Sequence, residues 1–518
     1  MLTDFYQITM AYAYWKAGVH EESAVFDLFF RKNPFGGEFA IYAGLEEKLR
    51  LFESFYFTDD HIAYLKEQMP QCQKGFFDWL KRVDCSRMKI YALKEGTIAY
   101  PRVPLMRVQG PIAVAQLLET ATLTLTNYPS LMTTNAAKYR LAVGFDKGLI
   151  EFGLRRAQGP DGGVSASRYS YMGGFDGTSN VLAGYLFGVP IKGTHAHSYV
   201  QSFTGIENLK DHTLVGEDGK EHDFVKMVLE LRATLGFNYT NEGELASFIA
   251  YAQAFPKGFL ALVDTYDTLK SGVPNFVCVA LGLLKIGYKP VGIRLDSGDL
   301  SYLSKATRRV FNEMSARTDP ELSKCLILAS NEINKSVLTS LRQQGHEIDA
   351  FGIGTHLVTC DDQPAMGCVY KLVEAKGIPR IKLSQDLSKM TIPGKKEAYR
   401  LFSEDGYGLL DLMIRVGDKP PEAEKRVLCH HPFDHIKRVY VKPSKVIPLH
   451  HCVWDGKRVY PEITLKESRD YVLNQLRSTR EDHLRDVNPT PYKVSVSEEL
   501  YNFVYHLWAE ESPVAELK

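Results

Sequence analysis

Residues 291–299 have the sequence Val-Gly-Ile-Arg-Leu-Asp-Ser-Gly-Asp, in which a short apolar run ends in charged residues. Similar apolar runs, separated by segments with helical spacing, recur at Leu149–Gly153, Gly258–Val263, Cys325–Ala329 and Ile348–Ile353. Strands that alternate with helices predict parallel β/α units. Five such units favour a closed or nearly closed α/β barrel over a small open sheet.

The regions on either side of this series have a different pattern of predicted helices and strands. Residues 1–116 combine helical segments with short strands, for which Val25–Phe30 and Pro111–Ala115 are candidates. Residues 376–518 are strand-rich and irregular, and return to helical spacing near the end. We therefore expect a barrel domain over 117–375, with 376–518 completing the mixed α/β domain that 1–116 begins.

The composition excludes some classes of function and indicates a cellular compartment. The chain has 518 residues with 62 Lys and Arg against 62 Asp and Glu, so it lacks the basic excess that nucleic-acid binding requires. It has no apolar run of 18 residues, and no membrane span is expected. Eight dispersed cysteines without a C-x-x-C pair, and a start that does not resemble a signal peptide, predict reduced thiols and a cytosolic protein.

The charged end of 291–299 suits a phosphorylated sugar. The Asp296 carboxylate can accept hydrogen bonds from vicinal ribose hydroxyls, and the Arg294 guanidinium can hold phosphate oxygens in a bidentate way. An ordinary structural Arg–Asp pair at a strand end is the alternative interpretation.

A second candidate site follows the apolar run that begins at Ile348. Gly352 and Gly354 can let backbone N–H groups approach an anion, and Thr355 adds a hydroxyl donor, which predicts a phosphate cradle. The third glycine of a dinucleotide-binding motif is missing at the required spacing. A tight strand-to-helix turn is the alternative.

Two adjacent cations, Arg155 and Arg156, follow another predicted strand. They suit a pyrophosphate or a carboxylate substrate, although adjacent charges on a loop are often only solvated.

Residues 193–198 have the sequence Gly-Thr-His-Ala-His-Ser. Either histidine can accept a phosphoryl group or act as an acid or base, and a purely structural pair is the alternative. The H-x-H spacing lacks a third metal ligand. Cysteines and histidines also crowd 429–452, but their spacing fits no standard zinc pattern, so we interpret them as surface and core residues.

Taken in order, these segments resemble the nicotinate phosphoribosyltransferase family, particularly its animal members. The resemblance runs from Leu2–Gln7 to at least Arg400. Its most specific parts are Asn33–Gly37, 153–163, Ala196–Ser198 and Arg294–Asp299.

The resemblance implies the irregular α/β barrel of type II phosphoribosyltransferases, a second domain formed from both chain ends, and a homodimer with shared active sites. Tyr6 of a neighbouring subunit would stack on the pyridine ring. The remaining substrate-binding residues would be Arg155, Arg156, Thr194, Ser198, Arg294, Gly352, Gly354 and Thr355. His197 would be the histidine phosphorylated by ATP, and Asp296 would act with it in catalysis.

The implied reaction joins nicotinate to 5-phosphoribosyl pyrophosphate, with Mg²⁺ or Mn²⁺ as cofactor and ATP as co-substrate. Nicotinamide-using relatives carry an acidic residue after the Gly-Thr pair, where this chain has His195. Because a carboxylate there would repel the nicotinate anion, its absence favours nicotinate over nicotinamide as the substrate. A nicotinamide phosphoribosyltransferase and a catalytically silent homologue that senses metabolites remain the alternatives.

Overall fold

The computed structural model describes residues 1–383 and 389–512. The chain divides into two compact units, one of Met1–Asn135 with Asp362–Lys518 and one of Ala136–Asp361. We call them the terminal unit and the central unit. The domain limits at 117 and 375 stay predictions, because compactness alone does not define an independently folding domain.

Residues 5–143, which run past the end of the first segment of the terminal unit at Asn135, form six helices and five strands. They are α1 (Phe5–Lys16), β1 (Ser23–Phe30), β2 (Ala40–Ile41), α2 (Leu45–Glu53), α3 (Asp59–Gln68), α4 (Lys74–Leu80), β3 (Lys89–Leu93), β4 (Ile98–Ala99), β5 (Met106–Pro111), α5 (Ile112–Leu117) and α6 (Glu119–Val143). The strand predicted at Val25–Phe30 is confirmed, whereas the one at Pro111–Ala115 is wrong, because helix α5 begins at Ile112. All six residues of α5 are buried, and periodicity cannot distinguish a short, fully buried apolar helix from a strand.

The central unit alternates strands and helices. Its elements are β6 (Gly148–Glu151), α7 (Gly159–Met172), β7 (Gly177–Thr178), α8 (Val181–Phe187), α9 (His197–Gln201), β8 (Thr213–Val215), β9 (Glu221–Asp223), α10 (Phe224–Thr234), α11 (Glu242–Ala254), β10 (Leu260–Leu262), α12 (Val273–Lys285), β11 (Gly292–Leu295), α13 (Leu300–Arg317), β12 (Leu326–Ala329), α14 (Lys335–Gln344), β13 (Ala350–Ile353) and α15 (Thr355–Val358).

Six of these strands form one parallel sheet in the order β10-β11-β12-β13-β6-β7. The predicted parallel β/α architecture is confirmed, and the described strands form a half-barrel with β10 and β7 at its edges. Gly292 illustrates how sequence fits this sheet: its φ is 154°, and a Cβ there would lie 2.1 Å from the carbonyl oxygen of Leu326 on β12. Because the strands are parallel, their carboxyl ends lie at one edge, where a site is expected.

The rest of the terminal unit follows residue 361. Its elements are β14 (Cys368–Ala375), β15 (Ile378–Pro379), β16 (Lys396–Phe402), β17 (Gly408–Arg415), β18 (Val427–His430), β19 (Arg438–Val441), β20 (Lys445–Pro448), β21 (His450–Asp455), α16 (Leu465–Ser478), α17 (Glu481–Leu484), β22 (Lys493–Ser497) and α18 (Glu498–Glu511). One sheet has the order β15-β14-β1-β5-β3-β21, and a second has the order β19-β18-β22-β17-β16-β20. Since β14 pairs with β1 and β21 with β3, both chain ends build this mixed α/β unit, as predicted.

All eight cysteines are free thiols, and six of them are buried. None of the described helices combines the length and apolar character needed to cross a lipid bilayer.

Candidate active site

The carboxyl end of β11 holds a triangle of hydrogen-bonded side chains. The Arg294 guanidinium donates from Nε to the Ser330 hydroxyl over 2.8 Å, and its Nη2 lies 3.0 Å from Asp296 Oδ1. The Ser330 hydroxyl in turn donates to the Asp296 carboxylate. Ser330 directly follows β12, so two neighbouring strands fix the orientation of this ion pair. The arrangement leaves Asp296 Oδ2 outside the triangle.

Asp264, two residues beyond the end of β10, stabilises the same loop. Its Oδ2 accepts a hydrogen bond from the Asp296 backbone N–H at 3.1 Å and another from the Ser297 hydroxyl. Its Oδ1 is buried and accepts no hydrogen bond within residues 1–383 and 389–512. The sequence pattern places Asp264, like Asp296, on a loop after a predicted strand, where the ligand groups of such a barrel lie, but it assigns Asp264 no individual role.

His197 lies where the loops after β10 and β11 meet. Its Nδ1 is 3.1 Å from the Thr265 hydroxyl, and its Nε2 is 3.6 Å from Asp296 Oδ2 and 3.9 Å from Asp264 Oδ1. The side chain is 40% exposed. A histidine held at one nitrogen, with the other facing two carboxylates, is arranged for phosphoryl or proton transfer. No sequence signal pointed to Thr265.

His195, two residues earlier, has a different environment. Its Nε2 accepts a hydrogen bond from the Leu262 backbone N–H at 3.3 Å, and its ring packs 4.8 Å from that of Tyr251 and 5.3 Å from that of Tyr199. Burial lowers the pKa of His195 to about 4. An imidazole that accepts at Nε2 is neutral, which agrees with this direction. His195 therefore attaches its loop to β10 and carries no positive charge near pH 7.

A cavity of about 140 Å³ opens at the carboxyl edge of the sheet. It brings together seven of the predicted site residues: Arg155, Arg156, Arg294, Asp296, Gly352, Gly354 and Thr355. The guanidinium groups of Arg155 and Arg156 have no ionic partner among the described residues, so this wall of the cavity carries uncompensated positive charge. Gly352 also has a packing role, because a Cβ there would lie 2.4 Å from the Phe152 ring.

The other predicted site residues lie outside this cavity lining. Thr194 is half-buried, and its hydroxyl donates to the His195 carbonyl oxygen at 3.4 Å. Ser198 is exposed in α9, next to His197. Tyr6 belongs to the terminal unit, where it is 48% exposed on α1. The individual functional roles of all these residues stay predictions.

The cysteine–histidine segment 429–452 has structural contacts of its own. His450 is paired at both nitrogens, through a 2.7 Å hydrogen bond to the Pro104 carbonyl oxygen and a 3.2 Å hydrogen bond from the Ala398 N–H. In the part of the chain that the structure describes, no three His, Cys, Asp or Glu side chains form a group suited to a metal ion.

Comparison with known proteins extends these observations over the whole chain. Two family profiles match, described as the nicotinate phosphoribosyltransferase (NAPRTase) N-terminal domain over residues 1–127 and the C-terminal domain over residues 395–504. The nicotinate phosphoribosyltransferase of Dictyostelium discoideum is 53% identical, across 100% of this chain and 90% of its own length. The Homo sapiens enzyme of that name is 44% identical, across 99% of this chain and 97% of its own.

Solved structures agree with the sequence relatives. The crystal structure of human nicotinic acid phosphoribosyltransferase superposes with a TM-score of 0.88 at 42% identity, covering 98% of this chain and 100% of that one. The chain belongs to the nicotinate phosphoribosyltransferase family.

Proposed function

We propose that this protein is a nicotinate phosphoribosyltransferase, which joins nicotinate to 5-phosphoribosyl pyrophosphate and releases pyrophosphate in the first step of NAD synthesis from nicotinate. The observation that carries this proposal is the convergence of three guanidinium groups with the Asp296 and Glu332 carboxylates at one cavity, beside His197. Both substrates are anionic, and the chain has no net charge, so such a local positive site is what binding requires.

The triangle of Arg294, Asp296 and Ser330 suits the phosphoribosyl group. Because Ser330 and Arg294 bind Asp296 at Oδ1, its Oδ2 can accept a hydrogen bond from a ribose hydroxyl without rearrangement. Pre-oriented acceptors of this kind hold the sugar in the geometry of attack. Gly354 and Thr355, on the same cavity, would bind the 5-phosphate.

Cations for the carboxylate of nicotinate and for the pyrophosphate come from the arginines. Arg155 and Arg156 are the unpaired candidates on the cavity wall. His195 does not add to this charge, since its pKa of about 4 keeps it neutral. Its presence after the Gly-Thr pair therefore favours nicotinate only by placing no carboxylate there.

In the reaction, the pyridine nitrogen attacks the anomeric carbon while the bond from that carbon to the pyrophosphate oxygen breaks. The electron pair of the broken bond leaves with pyrophosphate, and the new C–N bond makes the ring a pyridinium. Positive side chains that face the leaving group stabilise the developing negative charge in the transition state.

The acidic side chains at the site fit a divalent cation. Asp264 and Asp296 supply hard carboxylate oxygens, and the buried Oδ1 of Asp264 has no hydrogen-bond donor among the described residues. Mg²⁺ usually binds through one or two carboxylates together with substrate phosphates. These two residues would hold Mg²⁺ or Mn²⁺, and the ion would neutralise charge on the pyrophosphate.

We assign ATP as co-substrate on the basis of His197. Its Nδ1 is held by Thr265, which fixes the ring and leaves Nε2 to attack the γ-phosphorus of ATP. The bond from that phosphorus to the bridging oxygen breaks, ADP leaves, and water later hydrolyses phosphohistidine to histidine and phosphate. The neighbouring carboxylates, Asp264 and Asp296, would stabilise the positively charged ring during this transfer.

A homodimer is supported by exposed apolar side chains in the central unit. Val181, Leu182, Tyr185 and Leu186 of α8 are each more than half exposed, and Tyr185 is 85% exposed. A patch of this kind on one helix marks an interface. A second copy of the chain would cover it, and the exposed Tyr6 would be available to the active site of that copy.

Product analysis tests the proposal. The purified chain is incubated with 5-phosphoribosyl pyrophosphate, Mg²⁺ and either nicotinate or nicotinamide, with and without ATP. We expect nicotinate mononucleotide and pyrophosphate, formed faster with ATP. Formation of nicotinamide mononucleotide instead would identify the nicotinamide enzyme, and binding of substrates without release of pyrophosphate would identify a silent homologue.

A further inference from the structure

The terminal unit contains a cavity of about 560 Å³ that the proposed reaction does not use. Strands β18, β19 and β22 contribute to one side, and Glu38, Pro101 and Arg102 contribute to the other. Sites for small molecules typically fall in this range of volume. The cavity also includes Cys429 and His431, which belong to the cysteine–histidine segment that has no role in the proposed catalysis.

Positive charge dominates the lining of this cavity. It has four cations against one carboxylate, namely Arg102, Lys437, Arg438 and Lys493 against Glu38. Lys437 is paired with Asp434 at 3.1 Å. Arg438 and Lys493 have no ionic partner within the residues that the structure describes. In a chain of zero net charge, this excess makes the cavity a local attractor for anions.

His431 in this cavity is close enough to two of the cations for their charges to affect its pKa. The pKa of His431 is lowered, first by partial burial and then by the nearby charge of Lys437, with Asp434 acting in the opposite direction and Arg102 adding to the lowering. The charges of Lys437 and Arg102 thus disfavour the protonated ring in addition to burial.

The walls between these cations are apolar. Pro101, Pro432, Ile436, Val439, Pro491 and Val494 line the cavity. Ile436 is 78% exposed and Val439 is 41% exposed, so apolar surface faces the opening. A simple inorganic anion would leave these walls in contact with water. An anion that carries a planar apolar ring would cover them.

Arg102 is held in an unusual conformation at the rim. Its φ is 73°, in the left-handed region, and its backbone N–H donates to the Phe30 carbonyl oxygen at 2.8 Å. Its guanidinium lies 4.4 Å from the centre of the Phe433 ring. Residues other than glycine are rare in this region and are concentrated at ligand sites.

We propose that this cavity binds a nucleotide, whose phosphates pair with Arg438 and Lys493 and whose base packs against the apolar walls. Guanidinium and ammonium groups are the side chains that bind phosphate, and a nucleotide matches both the size and the amphipathic lining. The site lies in the terminal unit and shares no residue with the cavity at the carboxyl edge. It is therefore a second ligand site.

Calorimetric titration with ADP tests this site. The experiment uses the full chain carrying Arg155→Ala and Arg156→Ala, which remove the unpaired cations that would bind phosphates at the proposed active site. We expect one ADP to remain bound per chain, and binding to weaken at least about tenfold when Arg438→Glu and Lys493→Glu are added. The matched control adds Lys74→Glu and Lys457→Glu, which reverse two exposed charges outside the cavity and should leave the affinity unchanged.

Two further measurements locate and define the ligand. Photolabelling of the unmodified chain with 8-azido-ADP should modify peptides that contain residues 429–439 or 491–495. Inorganic pyrophosphate, which has the charge but no ring, should bind more weakly than ADP. Labels confined to other peptides, equal ADP affinity after charge reversal, or equal affinity for pyrophosphate would each overturn the proposal. Nicotinate mononucleotide formation is measured separately, so failure of the enzyme assignment is distinguishable.

Discussion

The loop 193–198 sends its two histidines into opposite surroundings. His197 faces the polar carboxyl edge of the sheet, where it lies within 4 Å of two carboxylates. His195 faces an aromatic cluster, formed with Tyr199 of α9 and Tyr251 of α11, and accepts a hydrogen bond from β10. His197 is thus positioned for chemistry, whereas His195 attaches the loop to β10.

The carboxyl groups of the two regions differ in the same way. Asp264 and Asp296 at the edge are oriented by backbone, hydroxyl and guanidinium donors. Glu244 on α11 is fully buried, accepts from the Ser271 hydroxyl at 2.6 Å and the Asn275 amide at 3.0 Å, and has its pKa raised to about 7 by burial. Desolvation favours the neutral forms of both His195 and Glu244. Burial, rather than residue type, therefore decides that these two groups favour their neutral forms.

Replacing His197 should have the largest effect. In His197→Ala, the proposed phosphoryl acceptor is lost, and ATP hydrolysis should fall by on the order of 100-fold or more. The fold should be retained, because the side chain is 40% exposed. The measurement is release of phosphate from ATP in the presence of both substrates, with circular dichroism to check folding. Unchanged ATP hydrolysis would exclude His197 as the phosphorylated residue.

Replacing Asp296 tests the proposed binding of the sugar at the carboxyl edge of the sheet. Asp296→Ala should raise the Michaelis constant for 5-phosphoribosyl pyrophosphate by about 10- to 100-fold, because charge-assisted hydrogen bonds to the ribose are lost. Steady-state kinetics at varied concentration of this substrate provides the measurement.

Asp299→Ala is the matched control for that variant. Asp299 caps α13 by accepting from the Tyr302 N–H at 2.9 Å, so its loss should cost about 1 kcal/mol of stability and leave the Michaelis constant near that of the unmodified chain. Equal Michaelis constants in the two variants would remove Asp296 from the substrate site.

The polar edge was largely predictable from sequence. Arg294 and Asp296 follow an apolar run, as do Arg155 and Gly354, and parallel strands place their carboxyl ends together. Local patterning is therefore enough to predict that these residues share a cavity. The helix at Ile112 was missed, because short apolar runs fit both helix and strand.

The division between His195 and His197 was not predictable from sequence. Both are histidines in one short loop, and only the position of β10 and α11 decides which is buried. Thr265 lies 68 residues from His197 in sequence, and a lone threonine carries no motif. Contacts of this kind depend on tertiary packing, which residue spacing does not encode.

His195 tests the buried side of the comparison. His195→Ala should lower the free energy of unfolding by about 2 kcal/mol near pH 7, since the Leu262 N–H loses its acceptor. The folded pKa of about 4 lies below the ordinary 6.5, so the stability that neutral His195 contributes is present above pH 6.5 and is lost as the pH falls towards 4. Urea denaturation at pH 7 and pH 5 should show the variant and the unmodified chain converging in acid. A constant difference would mean that His195 is not held neutral.

Replacing Glu244 should have the smallest effect on the free energy of unfolding, and that effect should depend on pH. Its folded pKa of about 7 lies above the ordinary 4.5, so the unfolded chain ionises first and stability falls as the pH rises from 4.5 to 7. Glu244→Gln removes this ionisation and keeps an oxygen acceptor for Ser271, and it should therefore stabilise the protein by about 1 kcal/mol at pH 8 but not at pH 5.

The exposed Glu242, two residues earlier on α11, provides the control for this charge change. Glu242→Gln should alter the urea midpoint by similar, small amounts at pH 5 and pH 8, because the Glu242 side chain is half exposed and its 3.5 Å contact with Arg232 is a weak ion pair. If Glu244→Gln instead destabilised the protein equally at both pH values, Glu244 would be ionised and fully paired inside α11. The contrast would then fail, since burial would not have neutralised the Glu244 carboxyl group.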